Sequence, residues 1–172
     1  EWGVDYVNDR KGKDTPFFMY LAYNAPHTPI QPPQDWFEKV KTREPGISDK
    51  RAKLVALIEH MDHGIGQVIE ALKRNSQYEN TLTIFTSDNG GQVSVAGTNG
   101  NHRGGKQDMY EGGLKVPTCA VWPDKIKAGT SSNLVGITMD LYPTACAAAG
   151  AKVPDYVEGK SILPTMLGEI QN

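Results

Sequence analysis

Apolar residues recur along residues 49–74 at alternating steps of three and four, which is the spacing of one face of an α-helix. The stripe consists of Leu54, Ile58, Met61, Ile65, Val68, Ile69 and Leu72. Ser48 stands before the stripe as a favourable N-cap, and Asn75 and Ser76 follow it as a stop. The pattern therefore predicts a long amphipathic helix over residues 49–74.

Shorter apolar runs are typical of β-strands. Residues 16–24 form a continuous aromatic and aliphatic run, as in a strand buried on both faces. Residues 81–87 predict a second strand. Residues 116–122 predict a third, which is short and near a sheet edge because Pro117 has no N–H to donate.

A second helix is predicted over residues 139–149, with Thr138 as its N-cap and Gly150 as its C-terminal stop. The order strand, helix, strand, loop, strand, helix predicts an α/β layered fold with a largely parallel sheet. No internal repeat or flexible linker interrupts this order, so we expect one domain.

A parallel arrangement has a chemical consequence at one rim of the sheet. The first two strands would pair through a right-handed crossover made by the long helix, so both would end on the same side. His27 follows the first strand, whereas Asp88 and Asn89 follow the second. We therefore expect these three side chains to lie at the same rim.

Asp88 and Asn89 end an apolar strand and precede two glycines. Their side chains offer hard oxygen donors, which suit Ca²⁺ or Mg²⁺ better than zinc or copper. The same Asp-Asn-Gly sequence is also common in plain turns, so a turn without a ligand remains the alternative on these residues alone.

Residues 90–113 are rich in glycine and polar groups and predict a long, functional loop. Within it, Lys106 lies between glycine pairs, where it would present a positive charge to an oxyanion. A solvated surface lysine is the alternative. Glu111 lies in the same loop, and a structural brace is favoured over a catalytic group.

Composition narrows the class of protein. The chain has 172 residues, is 38% hydrophobic and carries a formal charge of −2, which argues against a nucleic-acid or acidic-lipid surface. It has no apolar run long enough to span a bilayer. Cys119 and Cys146 stand among apolar residues and predict small buried thiols, with a disulfide as the alternative.

Several motifs in order resemble the sulfatases of the alkaline phosphatase superfamily. They are PFFMYLAY at 16–23, PHTP at 26–29, MDHGIG at 61–66, TSDNGG at 86–91, GGK at 104–106 and YEGG at 110–113, followed by MDLYPT at 139–144 and EGKSILP at 158–164. The resemblance covers nearly the whole chain and implies an alkaline phosphatase-like α/β/α sandwich that hydrolyses sulfate esters.

The resemblance also implies residue roles. Asp88 and Asn89 match the family's ligands of a divalent cation, usually Ca²⁺, with Mg²⁺ as the alternative. Lys106 matches the lysine that contacts a sulfate oxygen, and His27 matches a histidine near the ester oxygen. His102 stands where an apolar residue is expected; it is a loop variant or a substrate contact.

The sequence departs from the family in several respects, and one of them concerns the nucleophile. It contains no Cys/Ser-x-Pro-x-Arg motif, in which the family's formylglycine nucleophile arises. We therefore expect residues 1–172 to be a single partial catalytic domain, to bind the rest of a sulfatase domain, and to be inactive alone. His60, His63 and the basic residues of the long helix, Lys50, Arg51, Lys53, Lys73 and Arg74, are predicted to be helix surface.

Other functions stay open. A phosphodiesterase or phosphonate hydrolase of the same superfamily needs similar cationic donors, and a truncated, non-catalytic binding module needs none of the chemistry. The substrate class would be an aryl or saccharide sulfate ester rather than a nucleic acid. By family, the compartment is secreted, periplasmic or lysosomal.

Overall fold

The computed structural model describes residues 1–169. Its helices and strands are α1 (Trp2–Asp9), α2 (Gln34–Arg43), α3 (Asp49–Arg74), β1 (Thr83–Phe85), α4 (Glu111–Leu114), β2 (Cys119–Val121), α5 (Leu141–Ala149) and α6 (Leu163–Met166). Short 3₁₀ turns lie at Val93–Val95 and Thr138–Asp140. Within this part of the chain no helix is both long and apolar enough to cross a membrane.

Helix α3 has the bounds that the sequence predicts. The Ser48 hydroxyl accepts a hydrogen bond from the Arg51 amide at 3.3 Å, which confirms the N-cap, and the helix ends at Asn75. Its buried face carries small as well as large residues, namely Ala52, Leu54, Ala56, Val68, Ala71 and Leu72. Half of these residues are alanines, whose small side chains leave room for α1 and α2 to pack against α3.

Two apolar clusters use different ends of α3. The C-terminal cluster is built from Val7 of α1 with Val68, Ala71 and Leu72, and Phe17, Met19 and Leu21 pack against it. The N-terminal cluster joins Val40 of α2 to Ala52 and Ala56, with Trp36 and Phe37 beside them. Helix α3 is therefore the common support of α1, α2 and the extended segment 16–24.

The prediction of a β-strand over residues 16–24 is wrong for this structure. This segment is extended but is not a strand, because it forms no ladder with another part of the described chain. Its side chains alternate: Phe17 and Met19 are half-buried, whereas Phe18 and Tyr20 are 75% and 80% exposed. The expected burial on both faces is therefore wrong here, since only one face meets the helices.

The sheet of the described residues is small and antiparallel. Strand β1 pairs with β2 in the register Thr83↔Val121, Ile84↔Ala120 and Phe85↔Cys119. Both strands lie inside their predicted ranges but are shorter. The expected parallel pairing of 16–24 with 81–87 is wrong in this structure, because the sheet of the described residues consists of β1 and β2 and has no third strand on the other edge of β1.

The α5 region ends as predicted but begins differently. Gly150 stops the helix at φ +67°, a conformation that glycine adopts without strain. The N-cap is Asp140 and not Thr138, which lies in the preceding 3₁₀ turn, and no side-chain hydrogen bond caps the helix. The buried Asp140 carboxylate instead accepts hydrogen bonds from the amides of Ile137 and Lys160 at 2.9 and 2.8 Å, and so joins the 3₁₀ turn to the segment around residue 160.

Both cysteines are free thiols. Cys119 is exposed, because it lies on the solvent-facing side of β2, along which exposed and half-buried residues alternate, and Cys146 is partly buried on α5. The prediction of two buried thiols is therefore wrong for Cys119, and the disulfide alternative is excluded in this structure. A hydrogen bond with Cys146 is the main cause that raises the pKa of Tyr142.

Candidate functional site

The first part of the site is the chain that leaves β1. Asp88 is exposed and Asn89 is half-buried, three and four residues beyond the end of the strand. The Ser87 hydroxyl donates to the Asn89 carbonyl at 3.0 Å. The Asn89 side-chain nitrogen donates to the Gly90 carbonyl at 3.4 Å, a bond that does not use the side-chain oxygen. Asp88 is therefore exposed to solvent, and the side-chain oxygen of Asn89 is not used in this bond.

Backbone hydrogen bonds join this strand end to the Lys106 loop. The Gly90 amide donates to the Gly113 carbonyl at 3.0 Å, and the Lys106 amide donates to the Gly91 carbonyl at 3.2 Å. Asp88, Asn89 and Lys106 are therefore parts of one loop assembly, although about twenty residues of sequence separate them. The structure therefore joins the two segments that carry these predicted site residues, through their backbones.

Glycines make the close approach of the two loops possible. A Cβ on Gly90 would overlap the Gly112 carbonyl, and a Cβ on Gly105 would overlap the Gly91 carbonyl. Any side chain at either position would push the strand end and the Lys106 loop apart.

A residue that the sequence did not single out, Asn99, bridges the same loops. Its side-chain oxygen accepts from the Gly91 amide at 2.7 Å, and its side-chain nitrogen donates to the carbonyls of Gly91 and Gly104 at 2.9 and 3.0 Å. The sequence signal for this role of Asn99 is weak, because Thr98-Asn99-Gly100 looks like any polar turn.

Lys106 is half-buried at the tip of a tight turn. The Asp108 amide donates to the Gly105 carbonyl at 2.9 Å, and the Asp108 carboxylate accepts from the Gly105 amide at 2.8 Å. Gln107, the third residue of this turn, has φ +79°, a conformation that non-glycine residues adopt at a cost. The direction of Lys106 is thus set by a doubly hydrogen-bonded turn.

Glu111 contacts both His102 and Lys115. Its carboxylate lies 2.7 Å from the Lys115 ammonium and 3.2 Å from Nδ1 of His102. The pKa of Glu111 is lowered, first by the hydrogen bond from Lys115 and to a smaller degree by His102. These contacts agree with the interpretation of Glu111 as a brace. They also hold His102, whose side chain is 43% exposed, at the outer side of the loop.

His27 lies apart from this assembly in its contacts. Its amide donates to the Asn24 carbonyl at 2.8 Å, and Nδ1 lies 2.8 Å from the Thr28 carbonyl, so its hydrogen bonds stay in its own loop. Among residues 1–169, no hydrogen bond or ion pair joins His27 to Lys106 or to Asp88. Its place at the same rim stays a prediction.

The prediction that certain residues lie on the solvated surface of α3 is confirmed for two histidines and is wrong for one arginine. His60 and His63 are exposed as predicted, and both rings pack against Trp36, at centroid distances of 5.5 and 5.4 Å. Arg51 is not a solvated side chain: it donates to the Ala96 carbonyl at 2.7 Å. Helix α3 is therefore hydrogen-bonded to the loop that carries Asn99. The sequence pattern did not predict this contact of Arg51.

The metal-binding capacity of the described chain is limited. Across residues 1–169 no group of three or more His, Cys, Asp or Glu side chains is placed to hold a metal ion. The carboxylate of Asp88 and the amide of Asn89 fit part of a hard-cation shell, which for Ca²⁺ takes six to eight oxygens. The donor chemistry fits a divalent cation, but the described residues supply only part of its shell.

A comparison with protein families shows to which family the chain belongs. The family model described as Sulfatase matches residues 3–151, which is most of the chain. The chain belongs to the sulfatase family. This sulfatase chain contains all of the loop assembly within the matched residues.

Two relatives illustrate the match. The chain is 36% identical over 165 residues to "Uncharacterized sulfatase YdeN" of Escherichia coli (strain K12), covering 94% of this chain and 29% of that protein. It is 33% identical over 170 residues to "N-acetylgalactosamine-6-sulfatase" of Mus musculus, covering 95% of this chain and 31% of the relative. The sulfatase chain thus spans about a third of the length of these relatives.

Solved structures show the same fold. The structure of Ps i-CgsB in complex with k-i-k-neocarrahexaose superposes with a TM-score of 0.90 at 37% identity, over 97% of this chain and 37% of that one. The sulfatase yidJ from Bacteroides fragilis, described as putative, superposes with a TM-score of 0.82 at 27% identity, over 99% of this chain and 40% of that one. The chain therefore has the fold of the matching part of these sulfatases.

Proposed function

We propose that the protein containing this sulfatase chain hydrolyses sulfate esters. The observation that carries the proposal is the loop assembly of a family member: backbone hydrogen bonds of Gly90 and Gly91 join the segment of the oxygen donors Asp88 and Asn89 to the loop of the cationic Lys106. Negative charge spreads over the sulfate oxygens as the S–O bond breaks, and fixed cationic donors stabilise that charge.

We propose a layered α/β/α sandwich with a mostly parallel sheet for the whole catalytic domain. The likeness to longer sulfatase structures, of which this chain covers 37% and 40%, supports this fold. In that domain the small β1–β2 sheet and the extended segment 16–24 would be parts of a larger sheet.

Asp88 and Asn89 are proposed as ligands of a divalent cation, Ca²⁺ or alternatively Mg²⁺. Their side-chain oxygens and the exposure of Asp88 support this role. Such a cation, when bound, would polarise the sulfate. The remaining ligands would come from the rest of the domain, since the described chain supplies only part of a shell.

Lys106 is proposed to donate to a sulfate oxygen, and the support is that its amide is hydrogen-bonded to the Gly91 carbonyl, in the segment that follows Asp88 and Asn89. His27 is proposed to protonate the departing alcohol, a step worth about 10² to 10⁴ in rate. His102 is proposed as a substrate contact, supported by its exposure and by the Glu111 contact that orients its ring. The nucleophile, a formylglycine in this proposal, would lie outside residues 1–172.

We propose a saccharide sulfate ester as the substrate class. The support is the 37% identity to a protein solved with a neocarrahexaose and the 33% identity to an N-acetylgalactosamine-6-sulfatase. The proposed compartment is secreted, periplasmic or lysosomal.

Turnover by the intact protein tests the function. We expect release of sulfate from carrageenan oligosaccharides or from N-acetylgalactosamine 6-sulfate, and loss of turnover with EDTA that Ca²⁺ restores. Lys106→Ala should lower kcat by at least about 10²-fold, because one donor to the developing charge is lost. The exposed Lys127 provides a matched control, and Lys127→Ala should keep the wild-type rate.

The same assay decides the second candidate function. The fold also superposes on the phosphonate monoester hydrolase SpPMH from Silicibacter pomeroyi, with a TM-score of 0.61 at 24% identity, over 80% of this chain and 29% of that one. Faster turnover of a matched phosphonate or phosphate ester than of the sulfate ester would favour that reaction. An intact, folded protein that cleaves neither would leave the non-catalytic binding module.

A further inference from the structure

Asn99 occupies the centre of the loop assembly. Its carboxamide makes three hydrogen bonds of 2.7 to 3.0 Å, all to backbone groups of Gly91 and Gly104. The bonded partners fix the orientation of the amide, because the Gly91 N–H requires an acceptor and the two carbonyls require donors. Both ends of the side chain are therefore in use.

The position of these partners in the sequence is informative. Gly91 lies two residues after Asn89, and Gly104 lies two residues before Lys106. The Gly91 carbonyl accepts from Asn99 and also from the Lys106 amide, at 2.9 and 3.2 Å. One side chain thus ties the segment of the proposed cation ligands to the segment of the proposed cationic donor.

The packing around the amide is specific for this side chain. A Cβ on Gly91 would lie 3.1 Å from Oδ1 of Asn99, and a Cβ on Gly105 would lie 3.0 Å from its Nδ2. Residue 99 therefore meets bare backbone on both sides. An aspartate would keep the acceptor for the Gly91 amide but would lose both donors, and an alanine would lose all three bonds.

We propose that Asn99 is a positioning residue that sets the distance between the Asp88–Asn89 cation ligands and Lys106. The inference rests on the proposed function, since it assigns Asn99 a part in aligning that site. Catalysis by fixed charges depends on geometry, and a misplacement of about 1 Å can cost 10²-fold in rate. Asn99 touches no substrate in this proposal; it acts through the two loops.

The test compares Asn99→Ala and the near-isosteric Asn99→Asp in the intact protein, with the exposed neighbour change Asn101→Ala as the control. At a temperature well below the unfolding midpoint of each variant, Asn99→Ala should lower kcat about 10- to 100-fold with KM changed less than about threefold. Asn99→Asp should lower kcat as well, because it also loses both donors. A purely structural role would lower the midpoint and leave kcat unchanged, which would overturn the proposal.

Amide hydrogen exchange separates this proposal from the proposed function. In folded Asn99→Ala, the amides of Gly91 and Lys106 should exchange at least about tenfold faster than in the wild type, whether or not the protein cleaves sulfate esters. If Asn99→Ala does not fold, Asn99→Asp carries the measurement at the Lys106 amide. Unchanged exchange at these amides would overturn the positioning role, whereas a wild type without turnover but with the expected exchange would refute only the proposed reaction.

Discussion

At the scale of single residues, glycines determine the geometry of the candidate site as much as charged side chains do. Gly90, Gly105, Gly112 and Gly113 all lie where a Cβ would overlap a carbonyl oxygen of the facing loop. The loops approach closely enough for backbone hydrogen bonds only because these four positions carry hydrogen in place of a side chain. These glycines belong to the loop that the sequence predicts over residues 90–113, and the close contacts leave no room for a side chain at any of the four positions.

Gly90→Ala should therefore separate the Asp88–Asn89 end from the Lys106 loop. The added methyl overlaps the Gly112 carbonyl and removes the Gly90–Gly113 hydrogen bond. We expect a loss of at least about 2 kcal/mol in the free energy of unfolding, from overpacking and a broken bond. Urea unfolding of the intact protein measures it.

Gly46→Ala is the matched control, because nothing lies within 4 Å of the added Cβ. It should change the unfolding free energy by less than about 0.5 kcal/mol. Equal effects of the two changes would show that loop contact does not explain the glycine at position 90.

At the scale of elements, α3 carries the fold and reaches the site. Its 26 residues support both apolar clusters, and its first turn sends Arg51 to the Ala96 carbonyl at 2.7 Å. Ala96 lies three residues before Asn99, so the helix anchors the loop that holds the two site segments together. The helix thus links core packing to the geometry around Lys106.

Gly66 is a weak point in this helix and predicts a stabilising change. It lies in the helix interior, is exposed, and has nothing within 4 Å of the place that an alanine Cβ would occupy. Gly66→Ala should raise the free energy of unfolding by about 0.5 to 1 kcal/mol, because alanine has the higher helix propensity. Thermal unfolding of the intact protein measures it.

Gly64→Ala is the comparison within the same helix. There the added Cβ would lie 3.3 Å from the Tyr23 hydroxyl, so part of the gain in propensity is lost to crowding. A gain at position 64 that equals or exceeds the gain at position 66 would contradict this account.

At the scale of the whole molecule, the extended segment 16–24 has one covered face and one open face. Phe17 and Met19 pack on the C-terminal cluster of α3, whereas Phe18 and Tyr20 point away and are 75% and 80% exposed. Adjacent exposed aromatic side chains on an extended segment are typical of a contact surface. The chain spans about a third of its relatives' length, and this open face is where we expect the rest of the domain to pack.

Phe18→Ser in the intact protein tests that expectation. If the rest of the domain covers Phe18, the change should lower the free energy of unfolding by about 2 kcal/mol or more, through lost apolar burial. The exposed Lys13 gives a control, and Lys13→Ser should cost less than about 0.5 kcal/mol. A Phe18→Ser cost as small as the control's would mean that this face stays in solvent.

The sequence by itself determined the local features of this protein. Periodicity and capping residues set α3 to its observed bounds, and Gly150 set the end of α5, because helix stripes and caps depend on near neighbours. The ordered motifs determined the family, and the residues of the candidate site, Asp88, Asn89 and Lys106, could be named before any coordinates.

Only the tertiary structure decided which segments meet. It paired β1 with β2 in antiparallel fashion and left 16–24 unpaired within the described residues, since strand partners are chosen by contacts distant in sequence. It also gave roles to Asn99 and Arg51, whose hydrogen bonds reach backbone 5 to 45 residues away. A side chain that binds backbone leaves no pattern in the sequence, because every residue carries much the same backbone donor and acceptor groups.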